Sequence, residues 1–249
     1  MTPATPPLPR LLDCGECALS VEFGDRIDDA LNARVLALDA ALTAQPPAGL
    51  LETVPTYRSL MLHYDPLVLS RDALGRHVAR ALDNVTKGRD ARQGAHGRLW
   101  RLPACYDPSV ANDLGWVAAA TGLTPEKAVR LHAAAIYRVV MYGFAPGWSY
   151  LSGLPAALTL PRRATPRDRI PAGSLIVAGG QAIVAALPMP SGWHIIGRTP
   201  VRLFDPARSP VFLVEPGDRM AFDPVDLHTL AALETRAAAG EVLARPGEG

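Results

Sequence analysis

Hydrophobic and polar positions divide the first part of the chain into two successive strand-strand-helix units. Apolar residues recur at steps of four and three between Ile27 and Leu42, which predicts an amphipathic helix, and a second helix begins after its cap at Ser70. Short apolar runs predict strands at Leu11–Leu12, Leu19–Phe23, Leu51–Val54 and Arg58–Tyr64. This order indicates an α/β sandwich, a ferredoxin-like domain over residues 10–85, with both helices on one sheet face.

The pattern changes in the second part of the chain. A strand is predicted at Leu99–Cys105, followed by helices at Asn112–Thr121 and from Pro125 to about Tyr137. From Met141 to Pro224, apolar runs alternate with Gly/Pro turns, which is typical of a closed or nearly closed β-barrel. The runs are Ser174–Ala178, Ala182–Leu187, His194–Ile196, Val201–Phe204, Val211–Val214 and Arg219–Phe222. We therefore predict a barrel domain over residues 98–228, and an α+β fold for the whole chain.

Three segments are predicted to lie outside these two domains. Four prolines among the first nine residues predict a disordered leader over residues 1–9. Glycines and unpaired charges predict a linker over residues 86–97. Residues 229–249 continue an Ala/Leu-rich helix and are then expected to fray.

The composition narrows the classes of function. The chain has 249 residues, 49% of them hydrophobic and 20% charged, which fits a folded globular protein. A net charge of +1 predicts no basic face for nucleic acid. The uncharged stretch Ile170–Gly197 contains three prolines and five glycines, so we expect strands and turns there, not a membrane helix. Three cysteines and no apolar leader favour the cytoplasm.

Short motifs give little sign of metal, redox or self-contained catalytic chemistry. Cys14-Gly-Glu-Cys17 has CxxC spacing but precedes a strand, so we favour a hairpin turn, with metal or redox use as the alternative. The six histidines contain no HxH or HExxH pair, and no metal site is visible. His77 and His132 lie at helical positions beside apolar neighbours, which favours packing roles. Neither a GxSxG elbow, a P-loop nor a GxGxxG motif occurs.

Candidate functional residues come from four Gly/Pro-dense stretches, interpreted as barrel loops, that carry aromatic and arginine side chains: Tyr142–Pro155, Pro161–Pro171, Ala178–Gln181 and Ser191–Pro200. Such segments hold a defined shape, and guanidinium groups bind phosphate or carboxylate through paired donors; ordered barrel turns and solvated loops are the alternatives. The predicted catalytic residues are Arg198, Gln181 and Arg167, and the predicted substrate-binding residues are Phe144, Pro146, Tyr150, Arg163 and Trp193. Arg198 is the strongest candidate because its neighbours are uncharged, so that a buried guanidinium there needs an anionic ligand or an internal carboxylate.

The same segments carry an ordered set of family motifs. They include Gly143-Phe-Ala-Pro-Gly147, Tyr150-Leu-Ser-Gly-Leu-Pro155, Ile170-Pro-Ala-Gly-Ser174, Ala178-Gly-Gly-Gln181, Ile196-Gly-Arg-Thr-Pro200 and Pro216-Gly-Asp218. With further matches between about residues 11 and 224, the sequence resembles the family that comprises the B subunit of 5-oxoprolinase, allophanate hydrolase subunit 1 and the kinase inhibitor KipI. It departs from the family pattern after Gln181, where Ala182-Ile-Val-Ala185 replaces the usual Thr-Gly-Ile-Tyr.

The resemblance implies both a fold and a function. It implies an N-terminal α/β domain, a C-terminal cyclophilin-like barrel, and a subunit of an ATP-dependent amidohydrolase that opens 5-oxoproline, or a related small amide such as allophanate, to the free acid. It further implies a homologous cyclophilin-like partner subunit and, in 5-oxoprolinase, a lactam-handling subunit, with ATP used by the assembled complex. The alternative within the family is a regulatory protein that inhibits a sensor histidine kinase.

Overall fold

The computed structural model describes residues 9–87 and 97–247. Contacts between residues divide the chain into two compact units, Met1–His96 and Gly97–Gly249. The predicted leader, apart from Pro9, and residues 88–96 of the predicted linker lie outside the described residues. The leader and the linker therefore stay predictions.

The N-terminal unit is one antiparallel sheet with two helices. Its elements are β1 (Arg10–Asp13), β2 (Ala18–Glu22), α1 (Asp29–Ala44), β3 (Leu50–Pro55), β4 (Ser59–Tyr64) and α2 (Arg71–Lys87). The strands lie in the order β1-β2-β4-β3, and each neighbouring pair is antiparallel. The chain thus runs β-β-α-β-β-α, whereas a ferredoxin-like domain runs β-α-β-β-α-β. The mixed α/β character is confirmed, but the ferredoxin-like assignment is not.

A single core holds both helices of this unit against the sheet. It combines Leu19, Val21, Leu60 and Leu62 of the strands with Val35, Leu38, Leu74 and Val78 of the helices. The Ser70 hydroxyl accepts a hydrogen bond from the Ala73 N–H at 3.3 Å, which confirms the predicted cap of α2. Cys14 to Cys17 connect β1 to β2, so the predicted turn is also confirmed.

The C-terminal unit is built on a β-barrel. Its elements are β5 (Leu99–Cys105), α3 (Leu114–Ala120), α4 (Pro125–Ala134), β6 (Tyr137–Gly143), β7 (Ala145–Ser152), β8 (Arg167–Ile170), β9 (Ser174–Ala178), β10 (Gln181–Val184), β11 (Met189–Ser191), β12 (His194–Arg198), β13 (Arg219–Val225), α5 (Leu227–Ala238) and β14 (Arg245–Pro246). Seven strands follow the order β12-β9-β10-β7-β6-β13-β5, and β12 closes the barrel by pairing Arg198 with Cys105. The predicted barrel is therefore confirmed.

Alternate residues of the barrel strands enter two different apolar clusters. In β9 and β10, Leu175, Val177, Ala182 and Val184 belong to the large interior core. The intervening residues belong to a second cluster, which we call the outer cluster and which contains Trp148, Ile170, Ile176, Ala178, Ile183, Ala185, Trp193 and Ile195. Because successive side chains of a strand point to opposite faces, the outer cluster marks the external face of the barrel.

Several predicted elements of the barrel unit were wrong. Helix α4 ends at Ala134, and the segment Tyr142–Pro155, interpreted as a loop, contains the whole of strand β7. Conversely, the strands predicted around Phe204 and Phe212 reduce to an isolated bridge between these two residues. Glycine and proline suggested turns before β7, but bulges in the β6–β7 pairing accommodate them. Arg245–Pro246, expected to fray, instead pairs with β5.

Candidate functional site

The eight predicted site residues all lie in the barrel unit but do not form a single cluster. Arg198 lines a cavity, while Arg163 and Arg167 bind one buried carboxylate. Of the other five, Pro146 and Tyr150 lie in β7, Gln181 begins β10, Phe144 lies between β6 and β7, and Trp193 directly precedes β12. The prediction that they all lie on barrel loops was therefore wrong for several of them.

Arg198 combines an internal ion pair with a free donor. Its Nη2 lies 3.1 Å from Oε1 of Glu234 on α5, so Arg198 meets an internal carboxylate. Its Nε is buried and has no hydrogen-bond partner among the described residues. The side chain lines a cavity of about 320 Å³, together with Gly173, Thr199, Arg202 and Glu234. Because a buried donor without a partner is costly, this guanidinium is suited to bind an anionic or carbonyl ligand from the cavity.

Gly173 positions the wall of this cavity beside Arg198. Its N–H donates to the Ala185 carbonyl at 2.7 Å, and its own carbonyl accepts from the Thr199 N–H at 2.8 Å. The residue has φ of +77°, and a Cβ atom there would lie 2.1 Å from the Thr199 carbonyl oxygen. Glycine is therefore required here both for the backbone conformation and for the close approach of the two chain segments.

Asp113 holds the other two predicted arginines. The Arg163 Nη1 lies 2.9 Å from Oδ1, while Arg167 donates from Nη1 to Oδ2 and from Nη2 to Oδ1, both at 2.7 Å. The Ile195 N–H also donates to Oδ2 at 2.8 Å. Burial acts to raise the pKa of Asp113, but these hydrogen bonds and the two positive charges lower it overall. Arg163 and Arg167 are thus anchored by an internal carboxylate that the sequence pattern did not reveal.

His194 and Trp116 lie next to this ion-paired group. The His194 Nε2–H donates to the Pro161 carbonyl at 3.0 Å, and Nδ1 is buried without a partner among the described residues. Trp116 stacks on the imidazole with ring centroids 4.5 Å apart and remains 54% exposed. Burial is the main cause that lowers the pKa of His194, which favours its neutral form. The sequence alone did not single out this pair.

Aromatic rings dominate the external face of the barrel. Tyr150 meets Trp193 edge-on, with centroids 6.2 Å apart, and the Arg162 guanidinium carbon lies 5.8 Å from the Trp193 ring. Trp193 is buried within the outer cluster, so packing is part of its role. Phe144, in contrast, is 67% exposed. It occupies the turn between β6 and β7 with φ of 69°, a conformation that costs about 1–3 kcal/mol for such a residue.

The residues that depart from the family pattern directly after Gln181 are all buried. Ala182 packs in the interior core, whereas Ile183 and Ala185 belong to the outer cluster. Apolar packing therefore occupies the positions where the family usually has a threonine, a glycine and a tyrosine.

His132 has the structural role that its apolar neighbours predicted. Its Nδ1 accepts a hydrogen bond from the Tyr106 hydroxyl at 2.9 Å, and its ring stacks on Phe222. Burial lowers the pKa of His132 to about 3, so it is neutral near pH 7. Within residues 9–87 and 97–247, no group of three or more His, Cys, Asp or Glu side chains is arranged to hold a metal ion. No helix in those ranges is long and apolar enough to cross a membrane.

The fold and the site define a barrel of the carboxyltransferase class. Residues 9–214 match the family model of the carboxyltransferase domain, subdomain C and D, and the chain therefore belongs to this family. It is 33% identical over 215 residues to the B subunit of 5-oxoprolinase from Bacillus subtilis (strain 168), covering 84% of this chain and 89% of that protein. It is also 35% identical over 211 residues to the B subunit of 5-oxoprolinase from Escherichia coli O157:H7, and this match covers 84% of this chain and 93% of that protein. The expected membership of the family that includes these 5-oxoprolinase subunits is confirmed.

A solved structure supports the same relationship. The crystal structure of TTHA0988 superimposes with a TM-score of 0.73 at 39% identity. The match covers 84% of this chain but 40% of TTHA0988, so the present chain spans about two fifths of the length of that chain. Helix α5, which carries the Glu234 partner of Arg198, lies beyond the range matched by the family model.

Proposed function

We propose that this chain is a subunit of an ATP-dependent amidohydrolase that opens 5-oxoproline, or a related small amide such as allophanate, to the free acid. The observation that carries the proposal is the identity of 33% and 35% to two proteins named as 5-oxoprolinase subunits, over most of both chains. The cavity beside Arg198 supports it, because a guanidinium donor without a partner among the described residues, beside a small cavity, suits a small polar substrate.

The chemistry gives each residue group a distinct role. A lactam is a poor electrophile, and ATP would supply a phosphoryl group that turns the amide oxygen into a leaving group. In this proposal, Arg198 stabilises negative charge that develops on the substrate. Gln181 pairs with Ala178, at the opposite end of β9 from Ser174, the partner of Arg198, so its amide is not assigned to the same cavity. Arg163 and Arg167 are already bound by Asp113, so we assign them to positioning the segments around the site.

We propose that activity requires a homologous cyclophilin-like barrel subunit and a lactam-handling subunit. The relatives are named as one subunit of an enzyme, which supports an assembly of several chains. We further propose that the barrel of this chain is cyclophilin-like. We also propose that the assembled complex lies in the cytoplasm. Fractionation of cells that produce the tagged chain tests the location.

The assembly is tested by measuring ATP-dependent release of glutamate from 5-oxoproline. Three preparations are compared: this chain alone, the two partner subunits without it, and all three together. We expect turnover only in the complete mixture, because each chain contributes part of the machinery. Robust turnover by this chain alone, or undiminished turnover when it is omitted, would contradict the proposal.

The role of Arg198 is tested with a matched pair of variants in the complete mixture. Arg198→Met keeps the length of the side chain but removes the charge and the donors, so we expect activity to be abolished with little change in Tm. Glu234→Gln removes the ion-pair partner and leaves Arg198 in place, so we expect activity to persist. If Arg198→Met lowers Tm strongly while activity per folded molecule is preserved, Arg198 is a structural residue.

A further inference from the structure

Two arginines face each other on the external surface of the barrel. Arg138 on β6 is the direct register partner of Arg219 on β13, and on its other side Arg138 pairs with Ser152 on β7. Their chain neighbours Tyr137, Val139, Leu151 and Met220 all belong to the interior core. Since side chains alternate along a strand, Arg138, Arg219 and Ser152 lie side by side on the outer face.

The polar atoms of this group lack partners. Arg138 Nε and Nη2, Arg219 Nε and Ser152 Oγ are buried and form no hydrogen bond within the described residues. Among the described residues, neither Arg138 nor Arg219 belongs to an ion pair. Arg163, Arg167 and Arg198, in contrast, each bind a carboxylate. Like charges that lie directly opposite each other on neighbouring strands destabilise a sheet. An anion bound between the two guanidinium groups would accept hydrogen bonds from these donors and would offset the repulsion between the two positive charges.

The arrangement of donors selects the chemistry of the anion. Nε and Nη2 lie on one edge of the Arg138 guanidinium and match two oxygens of an oxyanion. Arg219 Nε and the Ser152 hydroxyl add donors from the two adjacent strands. A carboxylate offers two oxygens, whereas a phosphoryl group offers three and a charge of about −1.5 to −2, close to the two positive charges present.

We propose that Arg138, Arg219 and Ser152 form a binding site for a phosphoryl group, either inorganic phosphate or the phosphate of a nucleotide. Both arginines are half-buried, so their side chains reach the surface. Because Leu151 pairs with Ala182, Ser152 also neighbours Gln181 on this face. The site goes beyond the proposed function, since that reaction assigns no role to Arg138 or Arg219 and the chain could bind phosphate without being an amidohydrolase subunit.

Isothermal titration of the full chain with inorganic phosphate, and separately with ATP, tests the site at constant ionic strength. Arg138→Met and Arg219→Met should each weaken binding by at least about tenfold, because each removes charged donors. The control is Arg130→Met, which removes an equal charge from an exposed position on α4 and should bind like the wild type. Binding of phosphate indicates the free ion as the source, and binding of ATP without phosphate indicates a nucleotide. Absence of both, or equal binding of glutarate, would overturn the proposal.

Thermal unfolding separates ligand binding from a structural role. In phosphate-free buffer, Arg138→Met and Arg219→Met should keep or raise Tm, since each relieves the repulsion between the two arginines. Saturating phosphate, or ATP where only ATP binds, should raise the Tm of the wild type and of Arg130→Met but not of these two variants. Arg219→Lys, which keeps the charge, covers the case of a Met variant that does not fold, and it should still lose phosphate affinity. A marked loss of Tm in both Arg219 variants without phosphate would show a structural role and overturn the site.

Discussion

Acid should destabilise the barrel unit through His132, which is buried between Tyr106 and Phe222. The folded protein holds this imidazole neutral because burial lowers the pKa of His132 from 6.5 to about 3. The unfolded chain takes up a proton at His132 near the ordinary pKa, and therefore binds more protons than the folded protein between these two values. The free energy of unfolding is unaffected by this group above about pH 7, falls as the pH drops from 6.5 towards 3, and levels off below that.

These two pKa values set the size of the effect. Lowering the pH from about 7.5 to about 5 should reduce the free energy of unfolding by about 2 kcal/mol through His132 alone. For a unit of this size, that corresponds to a drop in Tm of about 4–8 °C.

The matched variant is His132→Gln, which cannot take up a proton but can still accept a hydrogen bond from the Tyr106 hydroxyl. Circular dichroism at both pH values gives the Tm of each protein at constant ionic strength. We expect the variant to be less stable near neutral pH, where it loses the packed ring, but to lose about 4–8 °C less than the wild type on acidification. Other titrating groups contribute equally to both proteins, so equal losses would refute the role assigned to His132.

Two further predictions follow from contacts elsewhere in the chain, and a third follows from the sequence of the predicted linker. Asp113→Asn should cost about 2–3 kcal/mol in urea unfolding because Arg163 and Arg167 lose their shared carboxylate, and an unchanged midpoint would contradict this. Gly173→Ala should lower Tm more than Gly179→Ala, since both glycines have positive φ but only a Cβ at Gly173 would collide with the backbone; equal losses would disprove the collision. Trypsin should cut first within residues 86–97 and release two fragments on mass spectrometry, and earlier cuts inside the barrel would place the boundary elsewhere.

Local patterns determined much of the fold. Apolar spacing located α1 and α2, and the side-chain oxygens of Ser70 and Thr124 accept from the N–H groups expected of helix caps. These features depend on residues within one or two turns of helix, which is the range that periodicity and capping describe. The spacing of apolar runs and turns likewise predicted a barrel, although it missed β6 and β7; the glycines and prolines of β7 resemble those of loops.

Only the tertiary structure decided what the arginines do. Composition showed an excess of arginine between Pro161 and Pro171, but Asp113, which binds two of these arginines, lies about fifty residues earlier in the chain. Arg198 meets Glu234 from α5, and Arg138 faces Arg219 because β6 and β13 are neighbours in the closed barrel. The register between strands that are far apart in sequence cannot be read from the pattern of neighbouring residues. The sequence therefore determined which side chains could bind an anion, and the pairing of strands decided which of them already have a partner.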